Sequence, residues 1–266
     1  MSSVSLNPTL ARIDLYPVKS FDGTAVPQAE ILPGGSLKCD RRFALFDSQG
    51  HFVNGKRDAR IHQLRALFSE DCTRLTLWID GSDEKTTFDL TQPWDELESW
   101  LSSYFQQPVT LQENRRMGFP DDTNSPGPTI VSTATLKAVA AWYPDLDVAE
   151  VRRRFRTNLE IDGVPAFWED QLFGEEGQTV AFQIGEVTFW GINPCQRCIV
   201  PTRDTWTGTS TAQFQKTFNQ QRLATLPEWV NRSRFNHFYR LAVNTRLPTT
   251  EVGKVLKLGD PLRLIQ

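Results

Sequence analysis

Short runs of alternating apolar and polar residues dominate the chain. Across residues 11–18, Ile13 and Leu15 fall on one face and Pro17 stops the run, which predicts a half-buried strand. Residues 74–79 alternate in the same way, and Asp80-Gly81 turns them. Residues 42–46 and 51–53 flank Asp47-Ser48-Gln49-Gly50 and read as a β-hairpin. Residues 109–111 and 156–161 read as further strands. Residues 180–184 and 187–189 form a hairpin around Gly185-Glu186, and residues 255–258 and 262–265 close the chain as another around Gly259-Asp260. Helical spacing is rarer. Trp94, Leu97, Leu101 and Tyr104 recur on one face with Glu96 and Glu98 opposite. Ser132 is placed to cap a helix carrying Leu136, Val139 and Ala140, and residues 211–229 read as helical with Pro227 near the end. Many short strands, few helices and no internal repeat predict a β-rich α+β fold of barrel-like architecture.

Residues 114–129 are rich in turn formers and longer than most connections. The boundary between an N-terminal β domain, 1–115, and a second domain, 116–266, is expected there. A length of 266 residues suits one large domain or two modest ones. The formal net charge of −3 removes any global electrostatic case for nucleic acid. Local runs cut across that balance. Arg152-Arg153-Arg154 with Arg156, and Lys38 with Arg41-Arg42, either face solvent or converge on an anion pocket. The polar segment 1–10 lacks the apolar centre of a secretory signal, no apolar run reaches membrane-spanning length, and four cysteines do not make a disulfide scaffold. A soluble protein of a reducing compartment, the cytoplasm, is the expectation.

The chemistry concentrates in Asn193-Pro194-Cys195-Gln196-Arg197-Cys198, with Asp204 and Thr207-Gly208 following. Two thiols and a guanidinium lie within four residues, at the mouth of an alternating strand where Pro194 is expected to open a tight turn. A structural zinc site needs two further ligands, yet Cys39, Cys72, His51, His62 and His237 are scattered along the chain. A thioredoxin-like pair opens a helix, whereas these cysteines lead into the extended Ile199-Val200-Pro201. Buried structural cysteine fits the Gln-Arg between them poorly, since Arg is seldom buried unpaired. A site with a single thiolate ligand to a metal or cofactor survives.

Together with Tyr16-Pro17-Val18-Lys19-Ser20, Asp40-Arg41, residues 131–136, Arg154-Phe155-Arg156-Thr157-Asn158, residues 166–170 and Leu258-Gly259-Asp260-Pro261, this stretch resembles the MOSC family (molybdenum cofactor sulfurase C-terminal domain) over nearly the whole chain. The resemblance is to its two-part members, which join an N-terminal MOSC-associated β-barrel to a MOSC β-barrel with flanking helices and include amidoxime-reducing enzymes. It implies a molybdopterin-type molybdenum cofactor with Cys198 as metal ligand and catalytic residue. By the same resemblance Lys19, Ser20, Arg41, Ser132, Thr133, Arg156, Asn158 and Arg197 contact the cofactor; independently, the amides of the helix after Ser132 are placed to add to phosphate binding, and Arg197 and Asn158 to orient the metal site. The implied activity is reduction of N-hydroxylated compounds, independent of pyridoxal phosphate. The electrons would come from a separate ferredoxin- or cytochrome-like protein, because the chain has neither a further cysteine cluster nor a Gly-x-Gly-x-x-Gly fingerprint. A carrier or sulfur-transfer protein using a Cys198 persulfide, or a module that stores the cofactor, fits the same residues. Two positions depart from the family pattern. Thr205 stands where Pro is common, and a tyrosine near the metal aligns with Phe238 or, by one residue, Tyr239. His237 and Asp204 are candidate proton donors.

Overall fold

Strand-forming runs that bury one face dictate how this chain assembles. The computed structural model describes residues 6–265, so half of the segment 1–10 lies outside it. The first part of the chain runs β1 (Thr9–Leu15), β2 (Thr24–Val26), β3 (Gln28–Glu30), β4 (Phe43–Asp47), β5 (Leu64–Phe68), β6 (Arg74–Ile79), β7 (Thr86–Asp89), α1 (Asp95–Phe105) and β8 (Val109–Glu113). The second runs β9 (Ile130–Ser132), α2 (Thr133–Ala140), α3 (Val148–Phe155), β10 (Leu159–Asp162), β11 (Val180–Ile184), β12 (Val187–Gln196), α4 (Phe214–Ala224), β13 (Arg240–Arg246), β14 (Val255–Lys257) and β15 (Leu262–Leu264). The fold is a strand-rich α+β arrangement, as the pattern of short runs predicts.

One eight-stranded sheet, ordered β15-β11-β12-β13-β9-β10-β1-β2, draws on both parts of the chain. β1 lies antiparallel to β10, with Leu10 opposite Ile161 and Ile13 opposite Leu159. β3 likewise pairs with β14. The apolar cluster under the large sheet is shared as well: Leu10, Ile13 and Leu15 pack with Ile130, Leu159, Phe182 and Phe189. A second cluster lies within the first part, around Phe43, Leu64, Leu75 and Leu101. A third joins α2, α3 and α4 through Leu136, Val151, Phe155, Phe214 and Phe218.

Several elements differ from the sequence reading. β4 ladders with β8, and residues 51–53 contribute a single bridge, Phe46 to Phe52. The returning segment is cut short by an Asx turn in which the amides of Lys56 and Arg57 donate to Asn54 Oδ1. The closing hairpin does not form: β14 goes to β3 and β15 to β11, because each buries its leucine against a different neighbour. The helix expected over 211–229 is confined to Phe214–Ala224. β12 continues through Pro194 and Cys195 to Gln196 with register shifts between Gly191 and Asn193 and between Pro194 and Gln196, so the cysteine turn opens later than expected. A bulge tolerates Pro194, which has no N–H to offer the ladder.

The main omission is α3, which turns Arg152-Arg153-Arg154 into the last turn of a helix. Its signals are present: Asp147 accepts from the Glu150 amide as N-cap, and Val151 and Phe155 share the buried face. Arg156 ends the helix in the left-handed conformation, φ 53°, so the expected strand begins only at Leu159.

Candidate functional site

The β1–β2 connection, the turn before β4, the C-terminal corner of α3, the loop 120–129 and the end of β12 enclose a cavity of about 600 Å³. Eleven Lys and Arg side chains line it against five Asp, in a chain whose formal net charge is −3. Lys19, Ser20, Arg41, Arg156, Asn158, Arg197 and Cys198 are all among the lining residues. Ser20, Arg41 and Arg156 also hold positive φ, of 75°, 45° and 53°. Non-glycine residues held there are strained, and such strain gathers where a ligand is clamped.

Arg41 and Arg156 share one aromatic platform. Their guanidinium carbons lie 4.7 and 4.1 Å from the centroid of the Tyr16 ring. Arg41 Nη1 donates to Asp40 and, at 3.0 Å, to Asn158 Oδ1, while its Nη2 donates to the Arg156 carbonyl at 3.2 Å. Arg156 Nη1 donates to the Phe21 carbonyl at 2.6 Å. Asn158 is 3% exposed, and its Nδ2 donates to the Asp14 carbonyl at 3.1 Å, so it braces β1 and Arg41. Lys19 Nζ donates to the Phe119 carbonyl at 2.9 Å and to Asp121 Oδ1 at 2.6 Å. Against the cost of burial, Lys19 holds the Asp121 carboxyl well below the usual carboxylate range. The turn-rich loop of the sequence reading thus supplies a wall residue to the cavity.

Most of the cavity's cations already have carboxylates. Arg152 pairs with Glu160, and Arg153 and Arg154 pair with Glu150. Lys38 and Arg42 pair with Glu30 and Glu113 and do not line the cavity, so of that second run only Arg41 reaches it. Among the described residues Lys56, Arg156, Arg197 and Arg240 line the cavity with no carboxylate within 4.0 Å. Burial lowers the pKa of Arg156, and the neighbouring charge of Arg41 lowers it further.

At the other end, Arg197 Nη1 donates to Cys195 Sγ at 3.1 Å, and Nη2 donates to the Phe155 carbonyl. The guanidinium therefore stands on Cys195, the thiol that the motif does not assign to the metal. Cys198 is half-buried on the turn after β12 and faces the same cavity.

Ser132 and Thr133 do not line the cavity. Ser132 is fully buried, its Oγ accepting from the Thr135 amide at 3.0 Å and donating to Thr135 Oγ1 at 2.8 Å, so capping consumes it. Asp204 and His237 lie off the cavity too, and Asp204 is engaged by the amides of Trp206 and Thr207 at 3.0 and 2.8 Å. Phe238 stacks on Phe235, and the buried Tyr239 hydroxyl has no partner among the described residues. Cys39 and Cys72, far apart in sequence, pack in one apolar cluster, where a hydrogen bond from Cys72 brings the Cys39 thiol down to about 7. The sequence reading missed Asp22, Asn54, Lys56, His62, Arg65 and Arg240, all on the cavity wall. They are spread over 200 positions with no shared motif, so only the fold assembles them.

The first part of the chain matches the model of the MOSC N-terminal beta barrel domain at residues 7–93, and the second matches the MOSC domain at residues 129–263. This chain belongs to the MOSC family. Molybdenum cofactor sulfurase of Drosophila grimshawi is 27% identical over 225 residues, 73% of this chain and 28% of that protein. Mitochondrial amidoxime reducing component 2 of Bos taurus is 25% identical over 243 residues, 75% of this chain and 68% of that protein. The MOSC chain thus spans less than a third of the sulfurase and about two thirds of the amidoxime reducing component. The YUAD protein from Bacillus subtilis overlays on 97% of the chain and 94% of its own, with a TM-score of 0.40 and 11% identity. No helix among the described residues is long and apolar enough to cross a membrane, and none of them form a group of three or more His, Cys, Asp or Glu able to hold a metal.

Proposed function

We propose that this MOSC protein binds a molybdopterin-type molybdenum cofactor and works as an oxidoreductase that removes oxygen from N-hydroxylated compounds. The observation that carries the reading is the half-buried Arg156, a desolvated cation with no carboxylate within 4.0 Å among the described residues, set beside Arg41 and Lys19 in a cavity that also holds Cys198. Desolvated cations need an anion, and a phosphate meets several such donors at once. The residues present therefore fit the group. Lys19, Ser20, Arg41 and Arg156 would hold its phosphate, Asn158 would brace Arg41, and Cys198 would ligate the metal. A thiolate suits a soft site, and the small number of protein ligands suits a metal otherwise held by a dithiolene. When bound, the cofactor supplies two-electron redox chemistry and oxygen-atom transfer. The chain's own contribution is to fix the phosphate, present one thiolate and shield the reacting end from water. Electrons would arrive from a separate electron-transfer protein.

A second reading, sulfur transfer through a Cys198 persulfide, draws on the two thiols that face the cavity, Cys198 and Cys195, with the Arg197 guanidinium 3.1 Å from Cys195 Sγ. One experiment separates the two. Protein from a cofactor-making host is assayed for molybdenum and pterin, then for benzamidoxime reduction with an artificial donor. Cofactor with turnover is expected. Labile sulfane sulfur without molybdenum would replace this reading with the second.

A further inference from the structure

The cavity carries a second patch of positive charge, on elements other than those that would hold the phosphate. Lys19 and Arg156 come from the β1–β2 connection and the end of α3, whereas Arg240 begins β13 and sits opposite Gln196, the last residue of β12. Arg240 Nη1 donates to the Pro194 carbonyl at 2.9 Å and Nη2 to Asn236 Oδ1 at 2.7 Å. Its Nε is buried with no hydrogen-bond partner among the described residues. Burial lowers the pKa of the guanidinium, Arg234 adds to that, and only the Cys195 thiol opposes it. Among the described residues no carboxylate lies within 4.0 Å of Arg240, Arg234 or Arg197. Nearby lining groups are neutral amides: Asn244 Nδ2 donates to Asn193 Oδ1 at 3.0 Å, and Gln196 is exposed.

We infer that Arg240 is a specificity-determining residue that selects substrates bearing a carboxylate. The inference rests on the reading of the site as an N-hydroxyl reductase. A neutral substrate leaves Arg240 desolvated and uncompensated, whereas a carboxylate offsets that cost with a charge-assisted contact. Backbone and amide partners hold two of the three guanidinium nitrogens in place, so the side chain is preorganised and loses little freedom on binding.

The test uses two probes of nearly equal shape that differ in charge, 4-carbamoylbenzamidoxime and 4-carboxybenzamidoxime, with holoprotein and an artificial donor. The wild type is expected to favour the carboxylate in kcat/KM by about tenfold, the worth of one charge-assisted bond. Arg240→Gln is expected to bring the ratio near one, and Arg240→Lys to restore part of it. Molybdenum and pterin content are measured on the same preparations. An unchanged ratio in Arg240→Gln overturns the inference, as does cofactor loss in parallel with it, which would place Arg240 with the cofactor. Calorimetric titration with 4-carboxybenzamide and with the neutral terephthalamide separates this inference from the function on which it rests. If neither amidoxime is reduced but carboxylate binding disappears in Arg240→Gln, the anion site stands and the reductase reading falls. If wild type and variant bind both amides alike, the anion site falls.

Discussion

A guanidinium held out of water beside another one is costly, and Arg156 is in that position with no carboxylate within 4.0 Å among the described residues, only the more distant charges of Asp22 and Asp121. Arg41 differs, since Asp40 neutralises it within the fold. Arg156→Ala is therefore expected to weaken cofactor retention about 10- to 100-fold, more than Arg41→Ala does. Arg153→Ala, whose charge is spent on Glu150, is expected to change little. Pterin content after dialysis and the melting temperature read this order, since a ligand that binds only the folded state raises its stability. An Arg153 variant that loses as much as the Arg156 variant would move the phosphate elsewhere. For the thiols, Cys198→Ser is expected to abolish molybdenum retention. Cys195→Ser is expected to keep the metal but free Arg197, a difference that metal analysis of the two variants reports directly.

The elements that hold these side chains depend on two local contacts. Asp147 caps α3 by accepting from the Glu150 amide at 2.6 Å, and α3 carries Arg152 to Arg156 to the cavity. Removing such a cap costs about 1 kcal/mol, so Asp147→Ala is expected to lower stability by that amount in urea unfolding. β12 depends on a close approach instead. A Cβ on Gly191 would stand 1.6 Å from the Leu172 carbonyl oxygen, which is backbone and cannot step aside. Gly191→Ala is expected to cost about 3 kcal/mol or more, or to prevent folding, because β12 would have to leave the turn at residues 168–172. A variant that unfolds at the wild-type urea midpoint would contradict the packing described here.

At the scale of the molecule, the two family domains share a sheet and a core. β1 completes the edge beside β10, and Leu10, Ile13 and Leu15 cover Leu159 and Ile161. A fragment of residues 116–266 would expose that face. It is expected to lack a cooperative thermal transition by circular dichroism, while the whole chain unfolds in one step. A separately folding fragment would show that the shared sheet is dispensable. Whole-molecule stability is also tied to pH through Glu169, 2% exposed, whose carboxyl is pushed up to about 7 by burial, with the charge of Asp170 adding to it. The folded chain binds this proton more tightly than the unfolded chain, where the ordinary value is 4.5. The stabilisation is therefore full below that value and is lost as pH rises to about 7. Glu169→Gln is expected to flatten the fall in melting temperature between about pH 5 and about pH 8. A wild-type slope in the variant would remove Glu169 as its source.

Local chemistry made part of this legible in the sequence. The alternation of β1 and β6, the hairpin of β11 and β12, the apolar face of α1 and the Ser132 cap of α2 need only near neighbours, so the residues alone determine them. The ordered motifs from Lys19 to Asp260 determine the family for the same reason, as short stretches each recognisable where it stands. Partner choice is different in kind. β4 turning to β8, β14 to β3 and the Arg run to Glu150 and Glu160 depend on which distant faces need covering, and periodicity carries no such information. The motif placed Arg197 beside Cys198, yet the fold sets it on Cys195, because the bulges of β12 decide where each side chain points. The convergence of Arg41, Arg156 and Arg240 on one cavity is tertiary too: burying cations from remote positions gains nothing until the sheet has brought their elements together.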